Sequence, residues 1–134
     1  MARIYIAGGF YGSYKETIQR WLCPQHVLLD PEIYTDAEER IPARYVQRDL
    51  DEIEDSDILL AVQTDYPYVY GMAAEVGYAA GYVRGHAECD SDSNEKIDVI
   101  YVCLTKRVDG FLSGLARATF TDLEAACRFI NERY

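Results

Sequence analysis

The sequence predicts an α/β protein built on one doubly wound, flavodoxin-like parallel sheet of about five strands, with helices on both faces. Short apolar runs alternate with helix-like segments along the chain, which is the order of a parallel sheet with helical crossovers. The runs at 57–62 and 97–104 are almost continuously apolar, as buried parallel strands are. Because such crossovers are right-handed, the sheet becomes doubly wound. A length of 134 residues fits one domain, residues 1–134.

The first strand–helix pair occupies the N-terminal region. Residues 3–9, RIYIAGG, predict a short buried strand that ends in glycines. Residues 13–22 predict a helix that begins on a capping serine and places Ile18, Trp21 and Leu22 on one face.

Two further strand–helix pairs follow in the middle of the chain. Residues 26–31, HVLLDP, predict a second strand that an Asp-Pro pair closes. A helix is expected over 41–55, because Pro42 is tolerated in a first turn. The third strand at 57–62 then leads to a third helix over 71–83, which is rich in glycine and alanine.

The C-terminal part completes the sheet. Residues 97–104 predict the fourth strand, 111–117 a short helix or turn, and 118–120 an edge strand. A closing helix is expected from Thr121, with Glu124 three residues later in the spacing of a capping box.

Charge and cysteine content limit the classes of partner. The net charge of −10 repels nucleic-acid backbones and anionic membranes, so we expect a small-molecule ligand. Cys23, Cys89, Cys103 and Cys127 have no CxxC spacing and the two histidines form no HxxxH pair, which argues against a zinc site. Free thiols, and a strand pattern in place of a signal peptide, predict a cytoplasmic location.

Two local patterns invite other interpretations. The acidic segment 90–95, DSDSNE, resembles the start of a calcium loop, but Glu95 replaces the required glycine and Tyr101 the final glutamate, so we expect a solvated loop. Residues 7–12, AGGFYG, approach a dinucleotide fingerprint, but Ala7 replaces its first glycine. We interpret this stretch as a glycine-rich turn that a small ligand can approach.

Glu75 is an isolated carboxylate in the small-residue segment that forms the third predicted helix. Its neighbours leave little side-chain bulk around it, so a ligand can approach closely. Near a helix N-terminus the macrodipole would keep it ionised, which suits a nucleophile. The alternative is an ordinary glutamate that points into water.

Asp49 is the second unusual acid, because it shares a helical stripe with Val46, Leu50 and Ile53. An inward carboxylate has a raised pKa and can donate a proton, although an ion-paired or capping aspartate remains the alternative. Together, Glu75 and Asp49 form the pair of an acid and a nucleophile that breaks a glycosidic bond.

The chain resembles the nucleoside 2-deoxyribosyltransferases and their relatives, the deoxynucleoside 5′-monophosphate N-glycosidases. Three stretches carry the resemblance: IYIAGGF at 4–10, RDLDEIEDSDILLAV at 48–62, and GMAAEVGYAAG at 71–81. With the chain between them they cover most of residues 3–81. The resemblance implies transfer of a 2-deoxyribosyl group between nucleobases through a covalent glycosyl-glutamate, in a reaction that needs no metal or cofactor.

The resemblance also implies roles for individual residues. Glu75 matches the nucleophile, in a pattern that Gly71 opens. Asp49 matches the acid that helps the base to leave, and Tyr5 matches the tyrosine that orients the nucleophile. The remaining implied substrate contacts are Gly8 and Gly9, which line the sugar and base site, Phe10 as a face for the base, and Ser113, lent by a neighbouring subunit of a homo-oligomer.

Because the chain departs from the family pattern at several positions, the resemblance does not decide between a free nucleoside and a 5′-monophosphate as substrate. Val69 stands where the transferases usually have an aspartate and the monophosphate hydrolases often a serine, and Asp65 and Tyr70 are the candidate substitutes. Gly9 and Tyr11 replace the serine and arginine with which the hydrolases hold phosphate, which favours a free nucleoside, whereas Ser113 favours the hydrolases. The alternatives are an N-glycosidase with water as acceptor and a catalytically silent nucleotide-binding module.

Overall fold

The structure, a computed structural model, describes residues 1–8, 14–29, 42–65, 70–82 and 96–134. Five strands and five helices alternate within these ranges. In chain order they are β1 (Arg3–Gly8), α1 (Tyr14–Trp21), β2 (Val27–Leu29), α2 (Pro42–Glu54), β3 (Ile58–Gln63), α3 (Tyr70–Gly81), β4 (Asp98–Cys103), α4 (Gly110–Leu115), β5 (Ala118–Phe120) and α5 (Leu123–Arg133).

The five strands form one sheet in the order β2-β1-β3-β4-β5, and every pairing in it is parallel. This is the flavodoxin-like order, so the predicted fold class is confirmed. The chain winds outward from β1 in both directions. The neighbouring carboxyl ends of β1 and β3 are therefore the switch point where ligands bind in such folds.

Helices cover both faces of the sheet, and each face has its own apolar core. On one face α1 and α5 pack against alternate strand residues such as Ile4, Ile6 and Leu60. On the other face α2, α3 and α4 pack against the residues between them, including Tyr5 and Leu59. Because strand side chains alternate between faces, β1, β3 and β4 each supply buried residues to both cores. None of the helices in the described ranges has the length and apolar character that crossing a bilayer requires.

Two predicted core positions are wrong. Trp21 is 44% exposed, because α1 buries Tyr14, Ile18 and then Leu22, and this line of residues four apart passes to one side of the tryptophan. Val46 is 46% exposed although it lies on the same helical face as Ile53. Among residues 45–54 of α2, whose side chains the structure describes, only Ile53 is fully buried, and Leu50 packs against the same core.

The cap of the last helix is also shifted by one residue from the predicted position. Asp122, and not Thr121, precedes α5, and its carboxylate accepts hydrogen bonds from the backbone N–H groups of Glu124 and Ala125. An aspartate satisfies two of the free amides of the first turn and is favoured by the helix dipole. The predicted Pro42 position, at the start of α2, is confirmed.

Gly8 ends β1 in a space that admits no side chain. A Cβ atom there would lie 2.8 Å from the Val62 carbonyl oxygen and 2.9 Å from the Tyr14 hydroxyl oxygen. Both distances are shorter than carbon–oxygen contact permits, and the carbonyl belongs to the neighbouring strand β3. Close packing at the switch point therefore requires glycine here, whether or not a ligand is bound.

We predict that Gly8→Ala lowers the free energy of unfolding by about 1–3 kcal/mol, because an inserted methyl group in a packed site forces its neighbours apart. Gly77→Ala is the matched control, since a Cβ atom at this exposed helical position meets nothing within 4 Å. That control should be neutral or stabilising by up to about 1 kcal/mol. Denaturant unfolding measures both, and equal effects of the two substitutions would contradict the packing account.

Candidate functional site

Three side chains from three elements converge on the face of the sheet that α2 and α3 cover. Tyr5 comes from β1 and is fully buried. Glu75 lies on α3, and Asp49 lies on α2, and both are partly buried. The charges of Glu75 and Asp49 both raise the pKa of Tyr5, and the charge of Asp49 raises that of Glu75. The structure therefore brings together the three residues that the sequence predicts as catalytic.

The pattern of α3 explains how Glu75 comes to be held beside the sheet. Met72, Val76 and Ala79 are buried at the spacing of one helical face, and Glu75 lies three residues after the first and four before the last. Its carboxylate is thus on the edge of the buried face. Within residues 71–81, the exposed positions of the helix carry only alanine and glycine: Gly71, Ala73, Ala74, Gly77, Ala80 and Gly81.

Burial, and to a lesser extent the nearby charge of Asp49, together raise the pKa of Glu75 to about 8, although the Tyr5 hydroxyl acts in the opposite direction. The expectation that Glu75 stays ionised is therefore wrong for the free protein. Glu75 is the sixth residue of α3 as it is described, and so lies in the second turn. The dipole and the free amides act mainly on the first turn, so they do not offset the desolvation.

The Tyr5 hydroxyl lies near both carboxyl groups, since the charge of each raises its pKa. Burial raises its pKa far above the ordinary value, with Glu75, Asp49 and Glu52 adding negative charge around it. The phenol is therefore a hydrogen-bond donor at any physiological pH. Its oxygen is buried and has no partner of ordinary hydrogen-bond geometry among the described residues, although it lies close enough to Glu75 to stabilise that carboxylate. Such a hydroxyl can donate a hydrogen bond to a ligand, or to Glu75 after a small movement of that side chain.

Asp49 also has a raised pKa, because burial outweighs the opposing charge of Arg48. This confirms the direction that the sequence predicts for it. One of its oxygens, Oδ1, is buried without a hydrogen-bond partner in the described part of the chain. A buried polar atom left unsatisfied is costly, so a carboxyl oxygen in this state is prepared to interact with a ligand.

Taken together, the site holds two carboxyl groups that resist being ionised at the same time. A proton retained by the pair near neutral pH can be given to a leaving group, and the other carboxylate can face a developing positive charge. The phenol of Tyr5 can donate a hydrogen bond to the carboxylate that is ionised. Within the described ranges, no group of three metal-ligating side chains is found.

The other predicted site residues are placed less closely, or fall outside the described residues. Gly9, Phe10 and Val69 lie outside them. Asp65 is exposed just after β3, and Gly71 is exposed in the first turn of α3. Both are at the carboxyl edge of the sheet, where the site opens, as is Gly8.

Ser113 lies on α4, and its hydroxyl shares a 3.1 Å hydrogen bond with the Thr119 hydroxyl of the same chain. The serine is partly buried. A contact with a ligand held by another subunit would therefore have to add to this bond or replace it.

A polar cluster that the sequence did not predict lies at the carboxyl ends of β3 and β4. The Tyr101 hydroxyl donates a hydrogen bond to Oε1 of Gln63 and accepts one from the backbone N–H of Asp109 at 3.2 Å. The available signal is the alternation of β3, in which Leu59, Ala61 and then Gln63 face one side of the sheet. A polar residue that continues a buried stripe at a strand's carboxyl end is a candidate for ligand contact.

Comparisons with known proteins find similar folds. A 2-deoxyribosyltransferase from the psychrotolerant bacterium Bacillus psychrosaccharolyticus superposes with a TM-score of 0.71 at 20% identity, over 99% of this chain and 92% of that one. A conserved protein from Enterococcus faecalis V583 superposes with a TM-score of 0.73 at 17% identity, over 100% of this chain and 99% of that one. No protein-family model matches the chain, and no curated protein sequence does so either. At these low identities, the two superpositions establish a shared fold alone.

We predict that Glu75 makes the protein less stable as the pH rises from about 4.5 to about 8. The folded protein retains the Glu75 proton up to a pKa of about 8, whereas the unfolded chain releases it near the ordinary value of 4.5. Since the folded state binds more protons in this interval, the free energy of unfolding falls across it.

Glu75→Gln should remove this dependence. The variant and the wild type should have similar stability at pH 4, and the variant should be more stable by a few kcal/mol at pH 8.5, because one pKa unit corresponds to about 1.4 kcal/mol. Urea unfolding at both pH values measures the difference, with the exposed Glu132→Gln as the matched control. A difference between Glu75→Gln and wild type that does not change with pH would contradict a raised pKa.

Proposed function

We propose that this protein transfers a 2-deoxyribosyl group between nucleobases, through a covalent intermediate in which Glu75 holds C1′ of the sugar. The observation that carries the proposal is the convergence of Glu75, Asp49 and Tyr5 at one site, with the pKa values of both carboxyl groups raised. The shared fold with a 2-deoxyribosyltransferase supports the choice of sugar and bond.

In the first half-reaction a deoxynucleoside binds with C1′ beside Glu75. The bond between C1′ and the base nitrogen breaks, and its electron pair leaves with the base, which takes a proton from the Asp49 carboxyl group. A Glu75 oxygen then forms the new bond to C1′. The proton that Glu75 retains in the free protein would pass to Asp49 before the bond breaks, and the positive charge that develops on the sugar favours this exchange because it stabilises ionised Glu75.

Tyr5 would orient the nucleophile. Its hydroxyl is buried, remains protonated and interacts with Glu75. A hydrogen bond from this phenol to one carboxylate oxygen would leave the other oxygen free to attack. The same bond would stabilise the negative charge of Glu75 before the sugar is transferred and after it is released.

In the second half-reaction another nucleobase attacks C1′, and Asp49 accepts the proton that this base loses. Glu75 is then released as a carboxylate. If water attacks in place of a base, the same site is an N-glycosidase, which is the alternative outcome. Small exposed residues around Glu75 leave space for an incoming base, which favours transfer.

We further propose that the active enzyme is a homo-oligomer in which α4 meets a neighbouring subunit. Phe111 on this helix is 76% exposed, and Leu104, Val108 and Leu115 nearby in the chain are also exposed apolar residues. A cluster of this kind on a helix and its preceding loop is typical of a protein interface. Ser113 lies on the same helix, so the interface would bring it toward the 5′ side of a sugar held by the partner.

The experiment that tests the function is incubation with deoxyinosine, with and without free adenine. Transfer predicts deoxyadenosine and hypoxanthine only when adenine is present. Hypoxanthine and free deoxyribose without adenine would indicate an N-glycosidase, and no turnover a silent binding module. Asp49→Asn should slow base release from ordinary nucleosides by about 100-fold or more, because the amide donates no mobile proton. Glu132→Gln should react at the wild-type rate, and unchanged turnover in Asp49→Asn would remove that residue from the mechanism.

A further inference from the structure

Gln63 is the last residue of β3, at the switch point and on the sheet face of the candidate site. Leu59 and Ala61 belong to the same core as Tyr5, and alternate residues of a strand share a face, so Gln63 continues their line to the carboxyl edge. The side chain is partly buried. Because α3 runs back over the sheet from this edge, Glu75 in its second turn lies on the same side of the sheet as Gln63.

The orientation of the Gln63 amide is fixed by a chain of hydrogen bonds. The backbone N–H of Asp109 can only donate, so the oxygen of the Tyr101 hydroxyl accepts it, at 3.2 Å. The hydroxyl proton then goes to Gln63, where it requires the carbonyl oxygen Oε1 as acceptor. Tyr101 is fully buried and cannot turn to another partner without leaving this position.

The Cys103 thiol beside this cluster does not change the direction of the hydrogen bond from the Tyr101 hydroxyl to Gln63. Its sulfur lies 3.6 Å from the Thr105 carbonyl oxygen and 3.4 Å from that of Arg107, and these acceptors can take its proton. The Tyr101 proton is therefore left for Gln63. With Oε1 occupied, the remaining hydrogen-bonding capacity of the amide is mainly that of its NH2 group.

We propose that Gln63 selects the nucleobase, by donating a hydrogen bond from Nε2 to the exocyclic carbonyl oxygen of an oxo base. This inference rests on the proposed function, and it names the substrate class: 6-oxopurines and 4-oxopyrimidines over their amino counterparts. An amino base would place its own NH2 donors against the NH2 donors of Gln63, so both would lack an acceptor. Tyr101 is the positioning residue, because it holds the amide in the orientation that makes this distinction.

The test compares two substrate pairs that differ at the one exocyclic group: deoxyinosine with deoxyadenosine, and deoxyuridine with deoxycytidine. For each pair, the ratio of kcat/KM values measures discrimination, and the change of this ratio from wild type to variant cancels the intrinsic difference between the two leaving bases. The wild type should favour the oxo member by about 10-fold or more, which is the effect of about 1.4 kcal/mol from one hydrogen bond.

The following variants distinguish recognition of the base by Gln63 from a purely structural role of that residue. Gln63→Leu removes the donor and should bring both ratios close to one. Gln63→Glu presents an acceptor in place of the donor and should move the ratios toward the amino member. Tyr101→Phe frees the amide to turn and should lower the ratios while Gln63 is retained, an effect that a purely structural role would not produce. Gln25→Leu, in an exposed turn before β2, is the matched control and should keep the wild-type ratios.

Binding of free hypoxanthine and free adenine, measured by calorimetry, keeps this inference separable from the proposed function. If the wild type turns over no nucleoside, the proposed function fails, and a preference for hypoxanthine that Gln63→Leu abolishes would still support the assignment of Gln63. A wild type without any oxo preference overturns the inference, as do ratios in folded Gln63→Leu or Gln63→Glu that match those of the wild type.

Discussion

The burial of two carboxyl groups at one site is the constraint on which the rest of this structure depends. Glu75 and Asp49 cannot both be ionised without a free-energy cost, and burial makes the cost larger because little water screens them. The free protein reduces the cost by keeping a proton on the pair. A ligand that brings positive charge to Glu75 and accepts a proton from Asp49 would relieve it, which is the charge pattern of glycosidic bond cleavage.

The fold supplies this arrangement through simple local features. The parallel sheet brings β1 and β3 together at the switch point, where Gly8 permits the close packing that the strands require. A helix of small residues, α3, can lie near the sheet and bring Glu75 over Tyr5. Helix α2, which is slightly longer, packs against α3, and Asp49 lies at the edge of the buried face of α2. Each acid thus comes from a different helix, and the phenol comes from the sheet beneath them.

The fold was largely predictable from the sequence, because apolar runs and helical spacing are local signals. The errors came where tertiary contacts decide burial: Val46 has the spacing of a core residue, but over residues 45–54 of α2 the fully buried side chain is that of Ile53, two turns later. Glu75, Asp49 and Tyr5 could be identified from local pattern and family resemblance. The raised pKa of Glu75 could not be predicted, because it depends first on how deeply the carboxyl group is buried and then on the distance between two helices. Gln63 was missed because its partner Tyr101 lies on β4, and one sequence does not give the pairing of two strands.

The central claim is that Glu75 forms a bond to the sugar, and covalent labelling tests it most directly. A 2-fluoro-2-deoxy-arabinosyl nucleoside should leave a stable adduct, because the fluorine disfavours the positive charge that release of the sugar requires. Intact-mass spectrometry should show one added fluorosugar per chain, and peptide mapping should place it on the segment that contains Glu75. Glu75→Gln should remain unlabelled. An adduct on another residue, or full turnover by Glu75→Gln, would contradict the account.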